Sequence, residues 1–127
     1  MTINEPRVHA EVRAAFERYE RALIENDVPV LVEMFWNSER VIRYGIADAQ
    51  YGIEALAAFR KANRFDTTGR RLGPTVITTF GNDFATANTE FRSFNNQPVG
   101  RQSQAWARLP HGWRIVSAHV SIVEVHG

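Results

Sequence analysis

The sequence contains no cysteine and a single lysine, Lys61. The absence of cysteine excludes disulfide bonds, thiol chemistry and zinc sites built on cysteine ligands. No apolar run approaches the length of a membrane-spanning helix, and the first residues, MTINEPRVHAEV, lack the apolar core of a signal peptide. We therefore expect a cytoplasmic protein that has no membrane partner.

An excess of charge is also missing. Lys and Arg number 15 and Asp and Glu number 14, which gives a formal net charge of +1. No basic face stands out, so we expect no nucleic-acid partner. Almost all of the basic residues are arginine, which suits two-point recognition of carboxylates. A GC-rich genome produces the same bias and is the simpler explanation.

The chain has 127 residues, of which 44% are hydrophobic and 23% are charged. This is the composition of an ordered globular protein, and the length suits one hydrophobic core. We find no linker, repeat or low-complexity tract. The sequence therefore predicts a single domain over residues 1–127.

The N-terminal half has helical periodicity. Apolar residues recur every three or four positions after Pro6, which predicts a helix over residues 7–26. Asp27 or Val28 can precede Pro29 at the first position of a second, short helix. A short strand is predicted at residues 40–44, a turn region from Gly45 to Gly52, and a third helix at residues 53–65.

The C-terminal half changes to strand patterns. Strands are predicted at residues 72–80, 84–94, 99–109 and 113–125, separated by turns at 81–83, 95–98 and 111–112. Three helices, one short strand and a four-stranded antiparallel meander indicate an α+β protein with its helices on one face of the sheet.

In these strands, polar residues lie on faces that would be apolar if they packed against a hydrophobic core. Pairing across the turn at 111–112 predicts Trp106 opposite Val116 and Gln104 opposite Ala118. Gln102, Gln104 and Trp106 would then line the concave face. On this register Trp113, Ile115, Ser117, His119 and Ser121 share the other face, although a slip of one residue would reverse the assignment. An antiparallel sheet can also leave one face in water, so exposure explains any single Gln or Ser as well.

Tyr19 and Arg43 are the least ordinary of the polar residues. Tyr19 belongs to the apolar stripe of the first helix, and a buried phenol needs a hydrogen-bond partner. Arg43 lies in the short strand. If Ile42 and Tyr44 face inward, Arg43 is an ordinary surface charge, but if Val41 and Arg43 face inward, a cation lies beside a phenol.

Five segments of the chain resemble one known family. They are RYGIADAQYG (43–52), AAFR (57–60), TVITTFGNDFATANTEF (75–91), GRQSQAWAR (100–108) and GWRIVSAHVS (112–121). Together with the order of elements, they resemble the AtzH-like and oxalurate-catabolism (HpxZ-like) proteins of the nuclear-transport-factor-2-like cone fold. The resemblance spans residues 8–123 and implies three helices packed on a strongly curved antiparallel sheet that encloses a pocket.

The resemblance also implies an activity. In that family, a tyrosine of the first helix and the arginine of the RYG segment are tied to decarboxylating hydrolysis of 1,3-dicarboxyurea to allophanate, in cyanuric acid and ureide catabolism. They match Tyr19 and Arg43, which favours the inward orientation of Arg43. An arginine can hold a carboxylate through two hydrogen bonds, and a phenol, protonated at neutral pH, can donate a proton.

The predicted site is completed by neighbouring side chains. We expect Gln104 and Trp106 to shape the pocket, and Arg70 or Arg71, with Arg71 preferred, to reach a second carboxylate. No cofactor and no metal are expected, because His9, His111, His119 and His126 form no ligand cluster.

Other functions suit the same fold. An isomerase or dehydratase would need an acid or base in an apolar pocket, and Asp48 and Glu90 are the available acids. A non-catalytic accessory protein of an oxalurate pathway is the other alternative, because fold alone does not decide function. In each case we expect at least a homodimer, with Arg101, Ser103, Ser117 and His119 in a two-fold contact.

Overall fold

The computed structural model describes residues 1–93 and 98–124. The elements in chain order are α1 (Pro6–Glu25), α2 (Val28–Glu33), β1 (Ile42–Tyr44), β2 (Ala49–Tyr51), α3 (Ile53–Ala62), β3 (Arg71–Phe80), β4 (Phe84–Arg92), β5 (Gly100–Leu109) and β6 (Gly112–Ile122). The predicted turn at 95–98 lies outside the described residues except for its last position.

Local capping sets the bounds of the first two helices. The Glu5 carboxylate accepts a hydrogen bond from the Val8 amide at 3.0 Å, which satisfies one of the free N–H groups at the start of α1. Asn26 ends this helix in the left-handed conformation, with φ of 52°. Asp27 then caps α2 through the Val30 amide at 3.3 Å, so of the two positions that the sequence left open the structure has Asp27.

The six strands form one sheet in the order β2-β1-β6-β5-β4-β3. β1 runs parallel to β6, and the other neighbours are antiparallel. The prediction of a turn throughout 45–52 is wrong, because the amide of Gly45 bonds to the Asp48 carbonyl at 2.9 Å and the chain returns as β2. A strand of three residues is too short for its periodicity to be visible in the sequence.

A β-bulge divides β6 into two halves. Gln104 pairs with Ala118, as predicted, but Trp106 pairs with Ile115 instead of Val116. The extra residue lies between these two pairs and reverses the inward alternation of β6.

The bulge also corrects the predicted faces of β6. Trp113 and Ile115 are buried in the core, whereas Ser117 and His119 are exposed on the outer face. The prediction that all four share one face is therefore wrong.

Two predicted elements are shorter in the structure. α3 ends at Ala62 instead of residue 65, because Asn63 adopts an extended conformation with φ of −134°. β6 ends at Ile122, and the last residue of the predicted strand, 125, lies outside the described part of the chain.

One hydrophobic cluster lies between the helices and the inner face of the sheet. Its fully buried large side chains are Trp106, Phe35, Leu31, Met34, Leu56, Ile115, Val12 and Val41. Within residues 1–93 and 98–124, no helix is both long enough and apolar enough to cross a membrane.

Candidate active site

Arg43 points into the molecule from the middle of β1. It pairs with Gln50 of β2 on one side and with Ala118 of β6 on the other. Only 5% of its surface is exposed, while Tyr44, the next residue, is exposed on the outer face. Of the two orientations that the sequence left open, the structure therefore has the inward one.

One nitrogen of Arg43 makes all of its hydrogen bonds to the described residues. Nη1 donates to Asp48 Oδ1 at 2.8 Å and to Gln50 Oε1 at 2.9 Å. The guanidinium also lies 5.1 Å from the centre of the Phe59 ring. In the described part of the chain, Nε and Nη2 have no acceptor, so these donors are left for a ligand.

The surroundings of Arg43 disfavour its positive charge. Burial, and then the positive charge of Arg60, lowers the pKa of Arg43 below its ordinary value, while Tyr19 and Asp48 act in the opposite direction. An arginine stays protonated despite such a shift. A bound anion would relieve both unfavourable effects, so the site favours negative ligands.

Tyr19 of α1 and Arg60 of α3 meet in the interior. The Arg60 Nη2 group donates to the Tyr19 hydroxyl oxygen at 2.7 Å. The exposed fractions of Tyr19 and Arg60 are 4% and 3%. Because the guanidinium supplies the proton of this hydrogen bond, the phenol keeps its own proton for another acceptor.

Arg60 carries an uncompensated charge. No carboxylate among the described residues lies within ion-pair distance of its guanidinium, and its Nε is buried without a hydrogen-bond partner. Buried charges are normally paired. Among the described residues that line the cavity, Asp48 is the one carboxylate and it pairs with Arg43, so the unpaired charge of Arg60 leaves this region positive.

These side chains line two adjoining pockets, which we call the outer and the inner part of the cavity. The outer part, of about 120 Å³, is lined by Arg43, Asp48, Phe59 and Arg60, among others. The inner part, of about 10 Å³, is lined by residues that include Tyr19, Arg43, Arg60 and Gln102. Both parts share four residues, which are Arg43, Arg60, Phe65 and Val120.

A second arginine–carboxylate pair lies behind the inner part. Arg70 Nη2 donates to both carboxylate oxygens of Glu20, at 2.7 Å and 3.1 Å. It also donates to Gln102 Oε1 at 3.3 Å. The Arg70 guanidinium lies 4.3 Å from the centre of the Phe91 ring. Arg70 is thus held on three sides by protein groups.

The other predicted binding residues lie elsewhere. Trp106 Nε1 donates to Gln104 Oε1 at 3.0 Å, and this buried pair does not line the cavity. Arg71 begins β3 on the exposed side, with Nη1 at 3.4 Å from the Ser93 carbonyl oxygen. The structure therefore brings Tyr19 and Arg43 together and separates them from Gln104, Trp106 and Arg71.

Sequence reasoning missed Arg60 and the roles of Asp48 and Gln50. A signal for Arg60 exists, because it follows the buried Leu56 by four positions and so shares the inner face of α3. Asp48 and Gln50 depend on the hairpin between β1 and β2, which the pattern of residues does not reveal.

A larger groove lies away from this site. It has a volume of about 660 Å³ and runs between α2 and the hairpin of β5 and β6, where Phe35, Trp36 and Pro110 contribute to its walls. None of the predicted site residues lines it. In the described ranges, no three acidic or histidine side chains gather as a metal ion would require.

Solved structures similar to this chain share its fold throughout. A protein from Burkholderia xenovorans, described as having a cystatin-like fold, is 48% identical, with a TM-score of 0.94 and 99% of each chain covered. A protein of unknown function from Pectobacterium atrosepticum is 50% identical, with a TM-score of 0.90, over 96% of this chain and 95% of its own.

A more distant relative identifies the wider fold group. A nuclear-transport-factor-2-like superfamily protein from Salmonella enterica is 26% identical, with a TM-score of 0.75, over 95% of this chain and 94% of its own. The chain therefore has the nuclear-transport-factor-2-like fold. A comparison with curated proteins gives no match. The AtzH-like family model matches residues 1–126, so this chain is a member of the AtzH-like family.

Proposed function

We propose that this protein is a cofactor-independent decarboxylating hydrolase that converts 1,3-dicarboxyurea to allophanate. The observation that carries the proposal is the convergence of Arg43, Arg60 and Tyr19 on two adjoining pockets whose described lining residues include one carboxylate, Asp48. Membership of the AtzH-like family supports the same choice.

Arg43 is the carboxylate anchor in this proposal. The substrate is a dianion with a carboxylate on each nitrogen, and a guanidinium can hold one carboxylate through two parallel hydrogen bonds. Asp48 and Gln50 fix the Nη1 side of Arg43, which leaves Nε and Nη2 for the substrate. Burial strengthens the attraction, because little water competes for the charge.

Tyr19 is the proton donor. When the bond between a carboxylate carbon and its nitrogen breaks, the electron pair stays on nitrogen and carbon dioxide leaves. The Tyr19 hydroxyl proton moves to that nitrogen, which gives allophanate, and the phenolate then takes a proton from water. The dianion and one proton thus yield a monoanion and carbon dioxide, and hydration of the carbon dioxide gives bicarbonate.

Arg60 supports this step electrostatically. Its Nη2 lies 2.7 Å from the phenol oxygen, where negative charge develops as the proton leaves. A preorganised cationic donor at such a point stabilises the transition state more than the ground state. Arg60 is therefore the third residue of the proposed machinery.

The cavity size argues against an isomerase of bulky apolar substrates. Pockets for drug-sized ligands measure about 300–1,000 Å³, and the outer part of this cavity has about 120 Å³. Asp48, the acid nearest to it, already accepts hydrogen bonds from Arg43 and Gln50 through one oxygen. A small, polar anion is the better match.

The test is release of carbon dioxide from freshly prepared 1,3-dicarboxyurea by the purified protein. Tyr19→Phe removes only the hydroxyl group, and we expect kcat to fall by about 10²–10⁴-fold, as for loss of a general acid. Arg43→Ala should raise KM and lower kcat together, because it removes both binding and orientation.

Matched variants show whether such losses are specific. Tyr51→Phe removes the hydroxyl of an exposed tyrosine, and Arg40→Ala removes an exposed arginine near β1. Both should retain the wild-type rate. If Tyr19→Phe turns over as fast as Tyr51→Phe, Tyr19 is not the proton donor. If the wild-type protein does not accelerate the reaction, the proposed function is wrong.

A further inference from the structure

Gln102 has a hydrogen-bonding group without a partner at the inner end of the cavity. It lies on β5 with its side chain on the inner face, and it is 5% exposed. Together with Tyr19 and Arg43 it lines the inner part of the cavity. Its Nε2 is buried and has no hydrogen-bond acceptor in the described part of the chain.

Arg70 fixes the orientation of this amide. A guanidinium only donates hydrogen bonds, so the amide atom that faces Arg70 Nη2 at 3.3 Å must be the oxygen. Arg70 is itself held by both oxygens of Glu20 and by the ring of Phe91. The amide cannot rotate without placing two donors against each other, and its NH₂ group is therefore kept away from Arg70.

A buried amide NH₂ without an acceptor is costly in an empty site, and a ligand oxygen removes the cost. Gln104 provides the comparison. It occupies the same face of the same strand two residues later, and its oxygen accepts from Trp106 in the core, away from the cavity. The unpartnered group thus occurs at the glutamine that lines the cavity.

We infer that Gln102 is a further substrate-binding residue, whose Nε2 donates to the second carboxylate of the substrate while Arg43 holds the first. The inference rests on the proposed function and deepens it, because it makes the site selective for small anions with a carboxylate at each end. Glu20 and Arg70 act through Gln102 and are positioning residues.

Two stable probes separate the ends of the site. Glutarate has two carboxylates separated by three carbons, which is the spacing in 1,3-dicarboxyurea, whereas pentanoate has the same chain length and a single carboxylate. Calorimetric titration of the wild-type protein should show tighter binding of glutarate. In Gln102→Leu, glutarate binding should weaken by about 10-fold to 100-fold, the usual effect of losing a hydrogen bond to a charged group, and pentanoate binding should stay unchanged.

A second variant separates binding from folding. In Gln102→Glu, the carboxylate keeps the contact with Arg70 and the shape of the side chain, and places a negative oxygen where Nε2 lies. Glutarate binding should weaken at least as much as in Gln102→Leu, with a normal melting temperature. The control Gln104→Leu, on the same strand face but away from the cavity, should retain the wild-type preference for glutarate over pentanoate.

The outcomes distinguish this inference from the proposed function. Glutarate binding that depends on Gln102, without turnover of 1,3-dicarboxyurea, supports the two-ended site and contradicts the reaction. Turnover with an unchanged KM in Gln102→Leu supports the reaction and overturns the role of Gln102. The inference is also overturned if the wild-type protein binds glutarate no more tightly than pentanoate.

Discussion

Arg43, which lines the cavity, and Arg70, which lies behind its inner part, both have buried side chains but contact different kinds of carboxylate. Arg70 contacts both oxygens of a buried carboxylate, Glu20, and packs over an aromatic ring. Each guanidinium bonds to the described residues through one nitrogen, but the carboxylate that Arg43 contacts, Asp48, is 31% exposed and accepts through one oxygen, Oδ1. Arg70 is thus a supporting residue whose charge is paired with a buried carboxylate, whereas Arg43 lines the cavity and its charge is less completely paired.

Removal of the Glu20 carboxylate should lower the free energy of unfolding more than any of the other substitutions would. Glu20→Ala leaves the Arg70 charge buried and unpaired, which costs about 3–5 kcal/mol of unfolding free energy. Asp48→Ala should cost about 1 kcal/mol or less, because its carboxylate is partly exposed and water can replace it. Denaturant unfolding measures both values. Equal costs would show that the two pairs do not differ as described.

Removing the negative charge of Asp48 should change ligand affinity by a smaller amount. Asp48→Asn keeps an oxygen acceptor for Arg43 but removes the negative charge near the cavity. Glutarate affinity should rise by about fivefold at low salt, which corresponds to about 1 kcal/mol for one screened charge, and the gain should shrink as ionic strength increases. Titration calorimetry at two salt concentrations tests this. Glu90→Gln, at an exposed ion pair, is the control and should change nothing.

The smallest expected effect is on the pH dependence of stability, and it concerns Glu11, which contacts both Arg108 and Trp113. The hydrogen bond from Trp113, followed by the nearby Arg108, lowers the pKa of the Glu11 carboxyl. Its folded pKa is below the unfolded one, so this contribution is present above the unfolded pKa and is lost as pH falls through the folded pKa. Glu11→Gln should therefore make the decline in unfolding free energy between neutral and acidic pH shallower. An identical decline in the variant would contradict this assignment.

The fold was largely readable because its signals are local. Pro6, the apolar stripe of α1 and the Asp27 cap predicted the helices, and the turn residues predicted the meander. The β2 strand and the bulge in β6 were missed, because neither has a repeating pattern. The one-residue shift at the bulge is what carried Trp113 and Ile115 into the core.

The candidate site was readable only in part. The resemblance identified Tyr19 and Arg43, and the structure brings them to the same cavity. Strand alternation predicted that Gln104 and Trp106 line the pocket. Alternation indicates which face of the sheet a side chain is on, but not whether that part of the face lies at the pocket. Arg60 and Asp48 reach the site through the packing of α3 and a short hairpin, which are tertiary features. The homodimer stays a prediction.

The parallel pairing of β1 with β6 has a consequence for biosynthesis. Ile42 pairs with Ser117, so the strand that carries Arg43 is joined to a segment made much later. Closing such a long loop is entropically costly and slows folding. While β6 is still inside the ribosome, the strand that carries Arg43 can pair only with β2. The anion site can therefore form only after β6 has emerged. Premature termination before β6 would therefore yield a chain without the anion site.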